Sequence, residues 1–243
     1  MKVIVVFKWA RNPQDALVRA DGTVDWPGVK LSANDDDPVV MEIAGALAGD
    51  DEIIGLTVGD GDTAWAAARG VARTVSVTDA KTDGDSSVLG TVIAAAVRHI
   101  GEVDAVIVGD SYWDYGVVAA ITGQLGWTAL AGVTSASYEQ GSLRVTRKIG
   151  SVSQVLEVNG PVVLAVAASR AEEIEPGMKV VLMARKKPVE RITLADLGIT
   201  PQPAAASRGT RFPDTLQAKI LDGADPEAAC AELVAALHSD GVV

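Results

Sequence analysis

Four short runs of β-branched and aliphatic residues recur through the first half of the chain, at residues 2–7, 52–58, 74–77 and 104–108. Each run is apolar almost throughout rather than alternating, so each must be buried on both faces. Between them lie alanine-rich stretches with helical spacing, at residues 38–48, 62–72, 86–100 and 115–125. Strands covered on both sides by intervening helices make a parallel, doubly wound α/β sheet. Two helix starts are marked by side chains that can accept the free N–H groups of a first turn. Asp62-Thr63 precede Ala64-Trp65, and Asp85-Ser86-Ser87 precede Val88-Leu89.

The pattern changes after Trp127. Residues 133–138, 143–148, 152–158 and 162–167 are strand-like, and the turn sequences Glu139-Gln140-Gly141-Ser142 and Asn159-Gly160-Pro161 separate two of the pairs. Short spacers of this kind predict an added antiparallel hairpin region. Residues 169–187 then mix charge with the spacing Met178, Leu182, Met183. Residues 200–213 are rich in Pro, Ala, Ser and Arg, a composition suited to an extended arm. The arm ends in a helix from Asp225 to Leu237, with Pro226 in its first turn. The expected organisation is an α/β domain over residues 1–189 and a C-terminal arm with its helix over residues 190–243.

A length of 243 residues at 48% hydrophobic composition supports one good core plus an appendage. The formal charge of -11 argues against nucleic acid and anionic membrane as partners. No apolar run approaches the ~20 residues of a membrane-spanning helix. The opening, Met1 to Phe7, has the look of a leader, yet it is short and followed at once by Lys8 and Arg11. It reads as a first strand. Cys230 is the sole cysteine, and His99 and His238 are the two histidines. These counts exclude an internal disulfide, a Cys-rich zinc site and a multi-histidine metal centre within the chain. The expectation is a soluble, cytoplasmic protein.

In a doubly wound sheet, ligands sit beyond the carboxyl ends of the strands, where strand order reverses. The relevant loops are 8–12, 58–62 and 109–115. Gly59-Asp60-Gly61 lets backbone approach a ligand closely before a helix N-terminus, and it is equally an ordinary tight turn. In Gly109-Asp110-Ser111-Tyr112-Trp113-Asp114 the aromatics either stack on a planar ring or close the sheet edge. The acidic run Asp35-Asp36-Asp37 invites a metal, but a solvated loop with a helix cap is the favoured reading. Lys8-Trp9-Ala10-Arg11 is bulky where an ATP-cleaving relative of this architecture carries a small-residue phosphate loop. There is no Walker A loop, no Gly-x-Ser-x-Gly elbow and no Gly-x-Gly-x-x-Gly opening the first helix. The residues thus describe a nucleotide-sized cleft without a catalytic group.

The order of several segments resembles the β subunits of electron-transfer flavoproteins, especially the Fix-type branch. These are Lys8 at the end of strand one, Asp21-Gly22-Thr23-Val24-Asp25, and Val29-Lys30-Leu31-Ser32-Ala33-Asn34 with Asp37 and Glu42 following. Val106-Ile107-Val108-Gly109-Asp110 with Asp114, then Leu125-Gly126-Trp127 and Val145-Thr146-Arg147, continue the series. The most specific stretch runs from Pro176-Gly177-Met178-Lys179 through Ala184-Arg185-Lys186-Lys187-Pro188-Val189 to Asp196-Leu197-Gly198.

The resemblance implies a Rossmann-like sheet of the adenine-nucleotide-binding type and a heterodimer with a larger α subunit, sharing FAD. The redox chemistry would belong to the flavin, and no catalytic side chain is expected here. Electrons would pass between dehydrogenases and a quinone-linked or other acceptor. Family members hold AMP, or in bifurcating relatives a second FAD, between the strand ends of β. Carried over by position, Val6, Asn34, Asp35, Asp36, Asp37, Val58 with Gly59, and the loop of Gly109, Asp110, Ser111 and Asp114 would line that site, with Lys8 beside it. Residues 174–185 would form the loop that anchors partner dehydrogenases through Met178, Leu182 and Met183; a helix packed on its own domain gives the same spacing. Arg147 is expected near the flavin or the α subunit, a surface ion pair being the plainer role. The chain departs from the family after Gly109, where Tyr112, Trp113 and Tyr115 sit in a loop about three residues shorter than the commonest form. Asp110 and Asp114 also place negative charge where a phosphate would lie, unless Lys8 or Arg11 compensates. The rival from another class is a self-dimerising nucleotide-binding regulator of the universal-stress type. Its Gly-x-x-Gly-x-Ser phosphate loop is not found in this sequence.

Overall fold

A computed structural model of the chain describes residues 1–59, 61–80, 85–110, 115–139, 141–167, 175–213 and 220–242. The chain divides into two units, one of Met1–Ala16 with Trp26–Arg208, the other of Leu17–Asp25 with Gly209–Val243. In chain order the elements begin β1 (Val3–Val6), β2 (Trp9–Ala10), β3 (Leu17–Val18), β4 (Val24–Asp25), β5 (Ser32–Ala33) and α1 (Asp37–Ala48). They continue with β6 (Ile53–Val58), α2 (Thr63–Ala68), β7 (Arg73–Val77), α3 (Ser86–Ile100), β8 (Ala105–Gly109) and α4 (Tyr115–Leu125). Next come β9 (Thr128–Glu139), β10 (Ser142–Ile149), β11 (Val152–Val158) and β12 (Val162–Val166). Last are α5 (Met178–Ala184), β13 (Val189–Ile192) and α6 (Pro226–Ser239).

Among the described residues the larger unit carries one sheet in the order β11-β10-β9-β12-β8-β1-β6-β7-β13. Pairing is parallel from β9 to β13, while β10 and β11 run antiparallel. The chain winds outward from β1 to β6 and β7, then returns to the other side of β1 for β8. Strand order therefore reverses between β1 and β8. The unbroken apolar runs follow from two covered faces. Val3, Val5 and Phe7 pack with Val40, Ala44 and Leu47 of α1, while Ile4 and Val6 pack with Val92, Ile93 and Ala96 of α3 and Ile121 of α4. The expected caps form: Asp62 accepts the Ala64 and Trp65 N–H groups, and Asp85 accepts that of Ser87.

Several elements differ from expectation. The α2 helix stops at Ala68 instead of continuing to residue 72, because Gly70 (φ +107°) turns the chain before β7. β9 starts at Thr128 rather than 133, because its first half pairs with β12 and its second half with β10. Gly132 marks the change of partner. Its φ is +68°, and a Cβ there would lie 2.7 Å from the Lys148 carbonyl oxygen, so only glycine fits. β13 was not expected; it pairs in parallel with β7 from Val189↔Thr74 to Ile192↔Val77. The boundary expected between residues 189 and 190 thus falls inside this edge strand, and the larger unit continues to Arg208. Within it the Ala205 N–H donates to Asp85.

In the smaller unit, β3 and β4 form a hairpin braced by an Arg19–Asp25 ion pair of 2.5 Å. The arm is tied to it where the Val24 N–H donates to Thr210 Oγ1 at 3.1 Å. Asp225 caps α6 by accepting the Glu227 and Ala228 N–H groups. None of the residues of α6 is buried. No helix among the described residues is long and apolar enough to cross a membrane.

Candidate functional site

A narrow slot of about 40 Å³ opens at the reversal point, where β1, β6 and β8 end. One water takes up roughly 10–15 Å³ of such space, so the slot admits the edge of a ring and not a whole nucleotide. Val6, Phe7 and Lys8 reach it from β1, Val58 from β6, and Val108 and Gly109 from β8. Asn34 and Asp37 supply polar groups from the turn into α1, and α3 and α4 close it with Leu89, Ile93, Val117 and Val118. A Cβ on Gly109 would lie 2.9 Å from Asp36 Cβ and 3.0 Å from Asn34 Nδ2. The missing side chain is what lets β8 approach this turn.

Asp37 is 2% exposed, and its Oδ2 accepts the backbone N–H of Lys8 at 3.3 Å and of Asn34 at 3.2 Å. One carboxyl group therefore pins the end of β1 to the turn before α1. Burial pushes its pKa up to about 8, against the two N–H bonds, which favour the anion. Nearby Asp36 and Asp35 add to the upward push. Burial wins, although the first turn of a helix normally favours negative charge. The reading of Asp35-Asp36-Asp37 as a solvated run is corrected: Asp35 is exposed and Asp36 half-buried, but Asp37 lies inside. Asp36 occupies the cap position of α1 without a side-chain cap bond. Asn34 is 9% exposed, and its Oδ1 is buried with no hydrogen-bond partner among the described residues. An unmet buried acceptor costs about 1–3 kcal/mol, so Asn34 holds an unused acceptor beside the slot.

Of the residues picked from sequence, Val6, Lys8, Asn34, Asp37, Val58 and Gly109 come together here. Gly59 follows β6 and donates its N–H to the Val77 carbonyl, outside the lining. Asp110 also lies outside it. Its Oδ2 accepts the Gly132 N–H at 2.9 Å, which commits the carboxylate to the bend in β9. Ser111 and Asp114, like Asp60, Tyr112, Trp113 and Ile174, are outside the described residues. Arg147 sits on β10, donating from Nε to Gln154 Oε1 at 3.0 Å, and does not line the slot. Met178, Leu182 and Met183 lie on α5, all exposed, Met178 by 77%. The helix rests on α2, with Ala184 buried, and Lys187 Nζ donates to the carbonyls of Ala67 and Val71 at the end of α2.

Sequence reasoning missed Phe7, Leu89, Ile93, Val108, Val117 and Val118 as slot walls. Leu89 and Val117 stand in the first turns of helices that begin at the sheet's carboxyl end. That position was a usable signal, although apolar helical spacing reads the same for core and cleft. Among the described lining residues, Lys8, Asn34 and Asp37 carry the polar side chains, and these form no nucleophile–base pair. The arrangement suits holding a planar group by its edge. The edge of an adenine-like ring is of a size to enter, against apolar walls and beside Asn34. FAD as a whole does not fit inside the slot.

The model of the electron transfer flavoprotein domain matches residues 29–197. Along nearly its whole length the chain is similar to the electron transfer flavoprotein subunit beta of Methylophilus methylotrophus. The two are 25% identical over 254 residues, covering 94% of this chain and 95% of the relative. The matched residues take in the turn of Asn34, the slot walls from β6, β8, α3 and α4, and the helix α5, and on this match the chain belongs to the electron transfer flavoprotein family.

Proposed function

We propose that this chain is the β subunit of an electron-transfer flavoprotein of the Fix-type branch, paired with a larger α subunit to share FAD. The complex carries electrons between dehydrogenases and a quinone-linked or other acceptor. The observation that carries the pairing is the smaller unit. Its helix α6 buries no residue, Leu233 and Val234 are exposed, and Ile220 is 93% exposed. Apolar area left in water at ~25 cal/mol per Å² favours a cover, and a polypeptide that the arm wraps supplies one.

When bound, FAD supplies the redox chemistry, and the protein positions and covers it. FAD exceeds the slot, which supports a flavin shared with the α subunit. Inside the slot, Val6 and Val58 would flank the base of AMP, or the adenine end of a second FAD, with Asn34 accepting from it. The exposed Met178, Leu182 and Met183 offer flexible apolar contacts to transient dehydrogenase partners.

The test is co-expression with the neighbouring reading frames, followed by a visible spectrum and identification of released nucleotides. A yellow heterodimer is expected, its count of FAD separating one flavin from two. Deleting residues 209–243 is expected to leave a folded larger unit that no longer retains the α subunit. A colourless self-dimer, or undiminished co-purification of the truncated chain, overturns the proposal.

A further inference from the structure

Asp37 is tied to two backbone segments and faces the slot, yet electron transfer through a shared flavin gives it no task. Its carboxyl holds the Lys8 and Asn34 N–H groups, so the placement of the Asn34 side chain depends on it. Asn34 in turn lines the slot with an Oδ1 that has no hydrogen-bond partner among the described residues, and a Cβ on Gly109 would lie 3.0 Å from its Nδ2. We propose that Asp37 is the positioning residue that holds Asn34 in place at the slot, so that base releases the slot's ligand. The inference rests on the reading of the slot as a nucleotide-base site.

Two charged neighbours, Asp36 and Asp35 from its own turn, push the Asp37 proton the same way as burial. Lys8 at the end of β1 meets the carboxyl through its backbone N–H, and Asp110 at the end of β8 gives its carboxylate to the Gly132 N–H. Among the described residues, β6, α3 and α4 turn Val58, Leu89, Ile93, Val117 and Val118 toward the slot. An anion formed here has little solvation and two acidic neighbours, and burial outweighs the N–H bonds that would favour it. Relief comes from letting water in, which parts the Asn34 turn from the end of β1. Ligand that needs the closed arrangement is then lost as pH rises past about 8.

The experiment is calorimetric titration of the full chain, in complex with its α subunit, with AMP and with adenosine from pH 6.5 to 9.5. Adenosine carries no phosphate, so a pH effect on it reports the protein. Adenosine is expected to bind about 30-fold more weakly at pH 9.5 than at pH 6.5, tenfold for each unit past the midpoint. Asp37→Asn keeps an acceptor for both N–H groups without a proton to lose, and is expected to bind evenly across the range. Asn34→Ala is expected to bind poorly at every pH. Titration of the unaltered protein in two buffers of different ionisation enthalpy gives a second readout. Binding above the midpoint must take up close to one proton per ligand. A flat profile with firm binding, or the same fall in Asp37→Asn as in the parent, overturns the switch alone. No binding of either probe at any pH overturns the base-site reading and the switch with it.

Discussion

In the larger unit, β1 sends Val3, Val5 and Phe7 to one side and Ile4 and Val6 to the other, and helices cover both. In the smaller unit, α6 has sound local chemistry, with an Asp225 cap and Pro226 in its first turn, yet buries nothing. Both follow the rules of local structure equally well. They differ in whether the chain itself supplies a cover for the apolar side chains. Local signals build an element, and only a surface brought from elsewhere gives it stability, since isolated helices of this length are marginal in water. The larger unit is therefore the part expected to fold by itself, and the smaller one the part completed by a partner.

The sharpest way to break this comparison is a matched pair of truncations. Phe7→Ala removes a ring that is 1% exposed and is expected to cost about 3–5 kcal/mol in chemical denaturation. Leu233→Ala on α6 is expected to change the same measurement by no more than about 0.5 kcal/mol, while weakening retention of the α subunit. Equal losses would show that α6 belongs to the same folding unit as the core.

A second test probes Asp37, the one carboxyl that the larger unit buries among the described residues. Asp37 is raised from 3.8 to about 8 in the folded chain, so the folded state holds a proton that the unfolded state has released. Stability is then greatest at acid pH on this account, and falls as pH rises from the ordinary carboxylate range toward about 8. The fall is expected to be roughly 2–4 kcal/mol, less than full linkage because water entry relieves the anion. Denaturation midpoints of Asp37→Asn between pH 5 and 8 are expected to lack this contribution; an unchanged slope would place Asp37 in water. A smaller effect than that of Asp37 concerns Thr57, whose Oγ1 is buried without a partner among the described residues. Thr57→Val keeps the shape and removes the unmet hydroxyl, so a gain of about 1 kcal/mol is expected by thermal or chemical melting.

The elements that read correctly from sequence are those decided within a few residues. α3, α4 and β11 fall where periodicity placed them, and Asp62, Asp85 and Asp225 cap helices because a cap needs only the next turn. β13 was invisible because Glu190 and Arg191 make it read as loop; its strand character comes from pairing with β7, a segment far back in the chain. In the slot, Asn34, Asp37 and Gly109 were legible through the order of family-like segments. Leu89, Ile93, Val117 and Val118 were not, since an apolar residue on a helix has the same signature whether it meets a neighbour or a cleft. Asp110 was read as a charge facing a phosphate, and the fold gives its carboxylate to Gly132 instead.

The sequence by itself determined the alternation of strands and helices and the antiparallel addition after Trp127. Hydrophobic period, turn residues and caps act over short distances, and they suffice for that much. Only the tertiary structure decided that the third acid of Asp35-Asp36-Asp37 is buried, that Asn34 is left with an unmet acceptor, and that β1, β6 and β8 end around one slot. Burial, and the proton affinity that follows from it, depend on which distant segments come to lie over a residue.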